Sequence, residues 1–227
     1  HFEIGRHLAE KLGYPPGVLD KIPVRAIDSF AGVGYFFDFA NLRGGERVLD
    51  LGSGSGMDCF FAALAVGLRG NVTGIDMTDE QLEKAEQLKK TGSFENVAFV
   101  KGYIDKLPFP DQSFDVVISN GVVNLSAEKD KVFEEVARVL KKVGRLAIAD
   151  IVTEKPLTEK ITCDSTIWAS CIGGAIPEDV YKHLVESAGM RVISVRENSQ
   201  YQFLSKSAQG ASRDFGVKSI SLFAEKE

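Results

Sequence analysis

The chain has 227 residues, a length that suits one domain with a full-sized core. Its 27 basic and 32 acidic side chains give a formal net charge of −5, so we expect no basic surface for nucleic acid. Hydrophobic residues make up 44% of the chain, as in an ordinary globular domain, and no apolar run approaches the ~20 residues that a membrane span needs.

The three cysteines lie at irregular spacing, which fits neither a disulfide framework nor a zinc pattern. We therefore expect no metal site, and a reducing cytoplasm as the setting. The sequence begins at His1 and shows no signal-peptide pattern, so we expect that its natural start was trimmed.

Residues 1–45 are predicted to form an N-terminal helical cap segment. Apolar residues recur at helical spacing over 2–13, and the run YPPG at 14–17 ends that helix because proline lacks an amide donor. Residues 18–40 are less periodic.

Residues 46–227 are predicted to form the main domain. Strands and helices alternate from 46 to 151, which is typical of a mainly parallel sheet with helices on both faces. Residues 152–176 follow the fifth strand, and because ligands bind beyond the carboxyl ends of such strands, they are predicted to form a lid over an acceptor pocket. Beyond them we predict a helix from Pro177, a strand over 190–197, a flexible polar hairpin or lid over 198–214 and a strand over 217–225.

The most informative stretch is ERVLDLGSGSG at residues 46–56. An apolar run meets a glycine-rich turn, and a helical pattern follows, which is how a nucleotide-binding α/β sheet begins. Glycine has no Cβ, so the backbone can approach a ligand closely. The dinucleotide fingerprint G-x-G-x-x-G would need a glycine where the chain has Met57, so the spacing disfavours NAD.

The second apolar run, NVTGIDM at residues 71–77, contains Asp76 near its end. An acid at the end of the second strand, ~20 residues after the glycines, is placed to accept hydrogen bonds from ribose hydroxyls. NAD and S-adenosylmethionine both carry an adenosine ribose, so Asp76 alone leaves both cofactors open.

Two motifs resemble those of class I S-adenosylmethionine-dependent methyltransferases: D-L-G-x-G-x-G from Asp50, and the run GYIDKLPF at 102–109, which in that superfamily flanks the adenine. The resemblance implies a Rossmann-like α/β fold, with a seven-stranded, mostly parallel sheet and helices on both faces, and S-adenosylmethionine as the cofactor. The implied cofactor-binding residues are Asp50, Gly52, Ser53, Gly54, Gly56, Asp76, Met77, Ile104, Asp105 and Asn120.

Four stretches, at 52–59, 73–78, 119–126 and 169–175, resemble the arsenite methyltransferase family. In that family cysteine thiolates hold trivalent arsenic and a thiol relay supplies electrons. The resemblance implies Cys59 and Cys171 as catalytic residues, a small-molecule acceptor and a thiol reductant as partner.

The chain departs from the family pattern at three positions. The loop at 31–34 (AGVG) has no cysteine, Gly121 stands where a cysteine is common, and residues 198–227 supply none. Cys163 is an additional cysteine. The arsenic ligand set of the family is therefore incomplete here.

Other functions stay open at this stage: methylation of a quinone, phenol or thiol, a non-catalytic S-adenosylmethionine-binding module, and an NAD oxidoreductase. His7 and His183 lie on predicted helices and are interpreted as surface or structural residues. Since no residue stands out as a general base, the sequence favours a soft or already acidic acceptor.

Overall fold

The structure, a computed structural model, describes residues 3–158 and 172–227. Cys163, Cys171 and much of the predicted lid over 152–176 lie outside the described residues.

The described residues contain one seven-stranded sheet in the order β3-β2-β1-β4-β5-β7-β6. The first five strands are parallel and β7 is antiparallel to both of its neighbours, which confirms the predicted mostly parallel sheet. The strands are β1 Arg47–Leu51, β2 Asn71–Asp76, β3 Val97–Lys101, β4 Phe114–Asn120, β5 Leu140–Val152, β6 Met190–Glu197 and β7 Lys218–Lys226.

Helices lie on both faces of this sheet. Within the described residues, no helix is long and apolar enough to cross a membrane. The helices are α1 Arg6–Leu12, α2 Pro16–Leu19, α3 Val24–Ile27, α4 Phe37–Ala40, α5 Met57–Val66, α6 Asp79–Gly92, α7 Lys129–Val139, α8 Glu178–Ser187 and α9 Lys206–Phe215, with a 3₁₀ turn at Val123–Leu125.

The sheet separates two hydrophobic cores, because successive side chains of a strand point to opposite faces. In β4, Val116 and Ile118 belong to one core and Val117 to the other. The first core also contains the N-terminal residues Leu8 and Phe36. The N-terminal segment from residue 3 to residue 40 is therefore packed against one face of the sheet.

The prediction for residues 198–214 was wrong over its second half, which forms helix α9 rather than a flexible hairpin. Ser205 caps the helix by accepting a hydrogen bond from the Ala208 amide, at 3.1 Å. Ala208 and Ala211, three residues apart, are buried. Alanine has a small side chain and gives only a weak hydrophobic signal, so the amphipathic pattern of this helix is hard to detect in the sequence.

A bulge near the start of β5 contains a strained residue. Residues 141–144 lie opposite Asp115 alone, since Leu140 pairs with Phe114 and Arg145 with Val116. Val143 in this bulge has φ +60°, the left-handed region that β-branched residues avoid, and the residue is 73% exposed.

We expect Val143→Gly to raise the free energy of unfolding by about 1 kcal/mol, because glycine adopts this φ without strain. Urea unfolding measures the change. Val180→Gly is the matched control, since Val180 is also exposed but lies in α8, where glycine should lower stability. Equal destabilisation by both substitutions would contradict the strain at Val143.

Candidate active site

Two adjoining cavities open where β1, β2 and β4 end. Their volumes are about 370 and 390 Å³. In parallel α/β sheets, ligands bind outside the carboxyl ends of strands where the strand order reverses, here between β1 and β4. The residues that line both cavities are Gly52, Asp76, Thr78, Val122 and Leu125.

The glycine turn forms one wall of the first cavity. Gly54 has φ +53°, and a Cβ built on it would meet nothing within 4 Å. Gly52 has φ +68°, and a Cβ there would lie 2.5 Å from the side chain of Val122. The turn therefore requires glycine for its conformation at both positions and for close packing at Gly52.

Asp76 holds this turn in place. Its carboxylate accepts hydrogen bonds from the amides of Gly54 and Thr78, each at 2.9 Å. Asp76 lines both cavities, and each carboxylate oxygen has further acceptor capacity. The structure thus brings Asp76 and the glycine turn together, as the sequence led us to expect.

The second cavity is a slot lined by both polar and apolar residues. Met77, Ile104 and Asp105, three of the predicted cofactor-binding residues, line it. Val122 and Leu125, which the sequence analysis did not single out, add apolar side chains to its lining. The sequence feature that could have identified Val122 and Leu125 is that both belong to the run that follows β4.

Two buried carboxylates line the first cavity, Asp50 and Asp58. Burial raises the pKa of Asp58 to about 6, although hydrogen bonds from Tyr14 and Asn120 lower it. Burial raises the pKa of Asp50 well above its ordinary range, and the charge of Asp58 raises it further. Burial therefore disfavours the charged form of both carboxylates.

Asn120 joins the end of β4 to the N-terminal segment. Its Oδ1 accepts a hydrogen bond from the Val33 amide at 2.8 Å. Its Nδ2 lies within hydrogen-bonding distance of Tyr14 Oη (3.1 Å), Asp58 Oδ2 (3.1 Å) and the Gly34 carbonyl (3.2 Å). Asn120 lines the first cavity, but the protein itself uses much of its hydrogen-bonding capacity.

Cys59 is fully buried beneath the turn, and its thiol donates a hydrogen bond to Asp50 Oδ2 at 3.2 Å. Burial, followed by the charge of Asp50, raises the pKa of this thiol well above its ordinary value. The thiolate form is thus disfavoured, in contrast to what a reactive cysteine requires. Among the described residues, no group of three histidine, cysteine or acidic side chains could hold a metal ion.

Residues 42–189 match the family described as "Methyltransferase domain". The chain belongs to this methyltransferase domain family. Its structure also matches an arsenic (III) S-adenosylmethionine methyltransferase from Chlamydomonas reinhardtii, with a TM-score of 0.77 and 30% identity over 93% of this chain and 73% of that one. The fold is accordingly that of class I S-adenosylmethionine-dependent methyltransferases.

The curated relatives of this methyltransferase domain include proteins with two different printed activities. An arsenite methyltransferase of Halobacterium salinarum is 39% identical over 96% of this chain and 55% of its own length. A ubiquinone/menaquinone biosynthesis C-methyltransferase of Citrobacter koseri is 34% identical over 69% of this chain and 64% of its own. The chain thus spans about half the length of the first of these relatives.

The family implies S-adenosylmethionine as the cofactor, and the first cavity fits it. The main chain at Gly54 borders open space, since a Cβ built on this residue would meet no atom within 4 Å. Ser53 Oγ, in the cavity wall, is buried beside the Cys59 thiol. The buried carboxylates Asp50 and Asp58 suit a cofactor with cationic groups.

Proposed function

We propose that this methyltransferase domain transfers a methyl group from S-adenosylmethionine to a small acceptor, and that trivalent arsenic is that acceptor. The observation that supports it most is the pair of adjoining cavities formed by the glycine turn and Asp76, in a chain 39% identical to an arsenite methyltransferase. The proposal includes a thiol reductant as co-reactant and a cytoplasmic setting.

We assign the proposed binding roles from the residues that line each cavity. The glycine turn from Asp50 to Gly56 would take the methionine end of the cofactor, with Ser53 as a polar contact. Asp76 would accept hydrogen bonds from the ribose hydroxyls. The slot lined by Met77, Ile104 and Asp105 would take the adenine.

When bound, S-adenosylmethionine supplies a strongly electrophilic methyl group. The protein then has to hold acceptor and methyl in line, with reacting atoms ~3–3.5 Å apart. A trivalent arsenic atom would form the new bond to carbon with its lone pair while the carbon–sulfur bond of the donor breaks, so no general base is needed. The thiol reductant would then return the resulting pentavalent arsenic to the trivalent state. Phe30 and Ala31, from the N-terminal segment, line the first cavity and would exclude water from it.

Methylation of a small organic acceptor is the second candidate. Val33 and Gly121 stand where the arsenite family usually has cysteines, and Cys59 is buried against Asp50. The resemblance to a quinone-pathway C-methyltransferase points in the same direction. Cys171, outside the described residues, is the remaining cysteine that the family match proposes as an arsenic ligand.

We expect labelled methyl transfer to arsenite in the presence of a dithiol, and we expect Cys171→Ser to reduce it at least about tenfold because a thiolate ligand to a soft ion is lost. Cys59→Ser, which keeps a donor to Asp50, is the matched control and should retain most of the activity. The assay quantifies methylarsenicals by chromatography.

Three outcomes separate the candidates. An equal loss in both variants would place Cys59 on the arsenic as well, contrary to its burial. Unchanged activity in Cys171→Ser would remove that residue from the site. Failure to methylate arsenite under any thiol condition, together with methylation of a hydroquinone or phenol, would replace the arsenic proposal by the second candidate.

A further inference from the structure

We propose that Tyr201 is a specificity-determining residue of the first cavity. Its aromatic ring forms the wall against which the methyl acceptor lies, and this wall limits the size of the acceptor. The inference rests on the proposed function and narrows its substrate class to compact acceptors, namely arsenicals with small substituents rather than arsenicals with a bulky group on the arsenic atom.

Tyr201 reaches the first cavity from the far half of the sheet. Strand β6 is antiparallel to β7, which is antiparallel to β5, so β6 runs in the same direction as the first five strands. The chain therefore leaves β6 at the edge of the sheet where the cavities open. Tyr201 follows β6 and lines the first cavity, whereas the other described residues that line it lie between Ala26 and Leu125. Tyr201 is thus what the C-terminal half of the chain contributes to the described wall of this cavity.

Under the proposed function, the donor occupies the opposite side of this cavity. The glycine turn follows β1 and Asp76 ends β2, and both strands lie on the other side of β4 from β6. Asp76 lines both cavities, but Tyr201 lines the first cavity and not the slot that would take the adenine. Tyr201 is therefore placed on the side of the first cavity that the donor leaves to the acceptor.

The backbone that carries Tyr201 is anchored to the sheet. Asn198, directly after β6, is 5% exposed, and its amide donates to the Ser219 carbonyl at 2.9 Å. The Asn198 side chain donates to Ser219 Oγ at 2.9 Å and accepts from Ser221 Oγ at 3.0 Å. The Tyr201 amide then donates to the Asn198 carbonyl at 2.9 Å. Asn198 thus ties the segment that carries Tyr201 to strand β7.

The same anchor brings this segment close to the end of β4. A Cβ built on Gly34 would lie 2.2 Å from Asn198 Nδ2, so the N-terminal segment packs closely on that side chain. The Gly34 carbonyl lies 3.2 Å from Asn120 Nδ2, at the end of β4. The Tyr201 ring is partly buried against the first core and meets the Phe203 ring edge-on, with centroids 5.2 Å apart. A ring packed in this way offers an acceptor a large apolar surface in a fixed position.

The donor arm of the test is calorimetry with S-adenosylmethionine and with its demethylated product. We expect Tyr201→Ala to leave both Kd values within about twofold of the parent, because the substitution removes no contact to the donor. Circular dichroism of the same sample shows that the variant is folded. Weaker binding than that in a folded variant would place Tyr201 on the donor and overturn the proposal.

The acceptor arm compares methylarsonous acid with phenylarsonous acid, each supplied with the same dithiol. We expect the parent to use the methyl compound with the higher kcat/KM, and Tyr201→Ala to narrow that ratio at least about tenfold, because loss of the ring leaves room for the phenyl group. Tyr201→Trp enlarges the wall and should widen the ratio, which keeps the proposal testable if the alanine variant does not fold. A ratio that stays at the parent value in the folded variants would overturn the proposal.

Two further variants separate the ring from its hydroxyl and from the surrounding segment. Tyr201→Phe keeps the ring, so we expect the ratio of the two arsenicals to stay close to that of the parent. Leu204→Ala removes an exposed apolar side chain of the same segment that lines neither cavity, and it should also leave the ratio unchanged. A shift in either variant as large as in Tyr201→Ala would mean that the ring does not set the ratio, and would overturn the proposal.

The two proposals fail in different ways. If the parent methylates neither arsenical, the arsenic acceptor is wrong, and the same variants are compared on hydroquinone and naphthohydroquinone, which differ by one fused ring. If the parent methylates the arsenicals and their ratio responds to neither Tyr201→Ala nor Tyr201→Trp, the proposed function stands and the role of Tyr201 is wrong.

Discussion

Replacing Asp76 by alanine is expected to weaken S-adenosylmethionine binding by about 1.5–3 kcal/mol, the range for hydrogen bonds to a charged group. Two contributions add in the same direction. The ribose hydroxyls would lose their acceptor, and the amides of Gly54 and Thr78 would lose the carboxylate that now orders the turn. Isothermal titration of folded protein with the cofactor measures the change.

Asp79→Ala is the matched control for this prediction. Asp79 lies three residues further along, forms an exposed ion pair with Lys101 and lines neither cavity. Its removal should leave cofactor affinity within about 0.5 kcal/mol of the parent, since exposed pairs contribute little. If Asp76→Ala bound the cofactor as tightly as Asp79→Ala does, Asp76 would not hold the ribose.

Asn120→Ala is expected to lower the free energy of unfolding by about 3 kcal/mol and to loosen the N-terminal segment. The substitution leaves the Val33 amide without its acceptor and removes a donor from buried Asp58. Each buried polar group left unpaired costs about 1–3 kcal/mol. Urea unfolding gives the stability, and limited proteolysis at residues 30–34 reports the loosening.

The control for Asn120 is Asn71→Ala, at the exposed start of β2. That change should lower stability by no more than about 0.5 kcal/mol, as for most surface positions. The prediction is contradicted if Asn120→Ala is as stable and as resistant to protease as Asn71→Ala. The side chain of Asn120 would then not hold the N-terminal segment against the sheet.

The sequence predicted the sheet well because its strands carry strong signals. The runs at β1, β2 and β4 are short, rich in branched apolar residues and bounded by turns, and all three were located correctly. Helix α9 was missed because its buried face consists of small residues, Ala208 and Ala211. The strain at Val143 was not predicted either, since a left-handed φ at valine has no sequence signal.

The candidate site was predictable where neighbouring residues form it. The glycine turn follows β1 and Asp76 ends the neighbouring strand β2, so their motifs predict that they share one cavity. The cluster of Tyr14, Asp58 and Asn120 was not predictable, because 106 residues separate Tyr14 from Asn120. Only the packing of the N-terminal segment on the sheet brings these three side chains together.

The most direct test of this account is calorimetry of the intact, folded protein with S-adenosylmethionine, with its demethylated product and with NADH. We predict saturable binding of the first two and none, or much weaker binding, of the third. Absence of any heat with the methyl donor and its product, or tighter binding of NADH, would contradict the assignment of the cavities between β1, β2 and β4 to that cofactor.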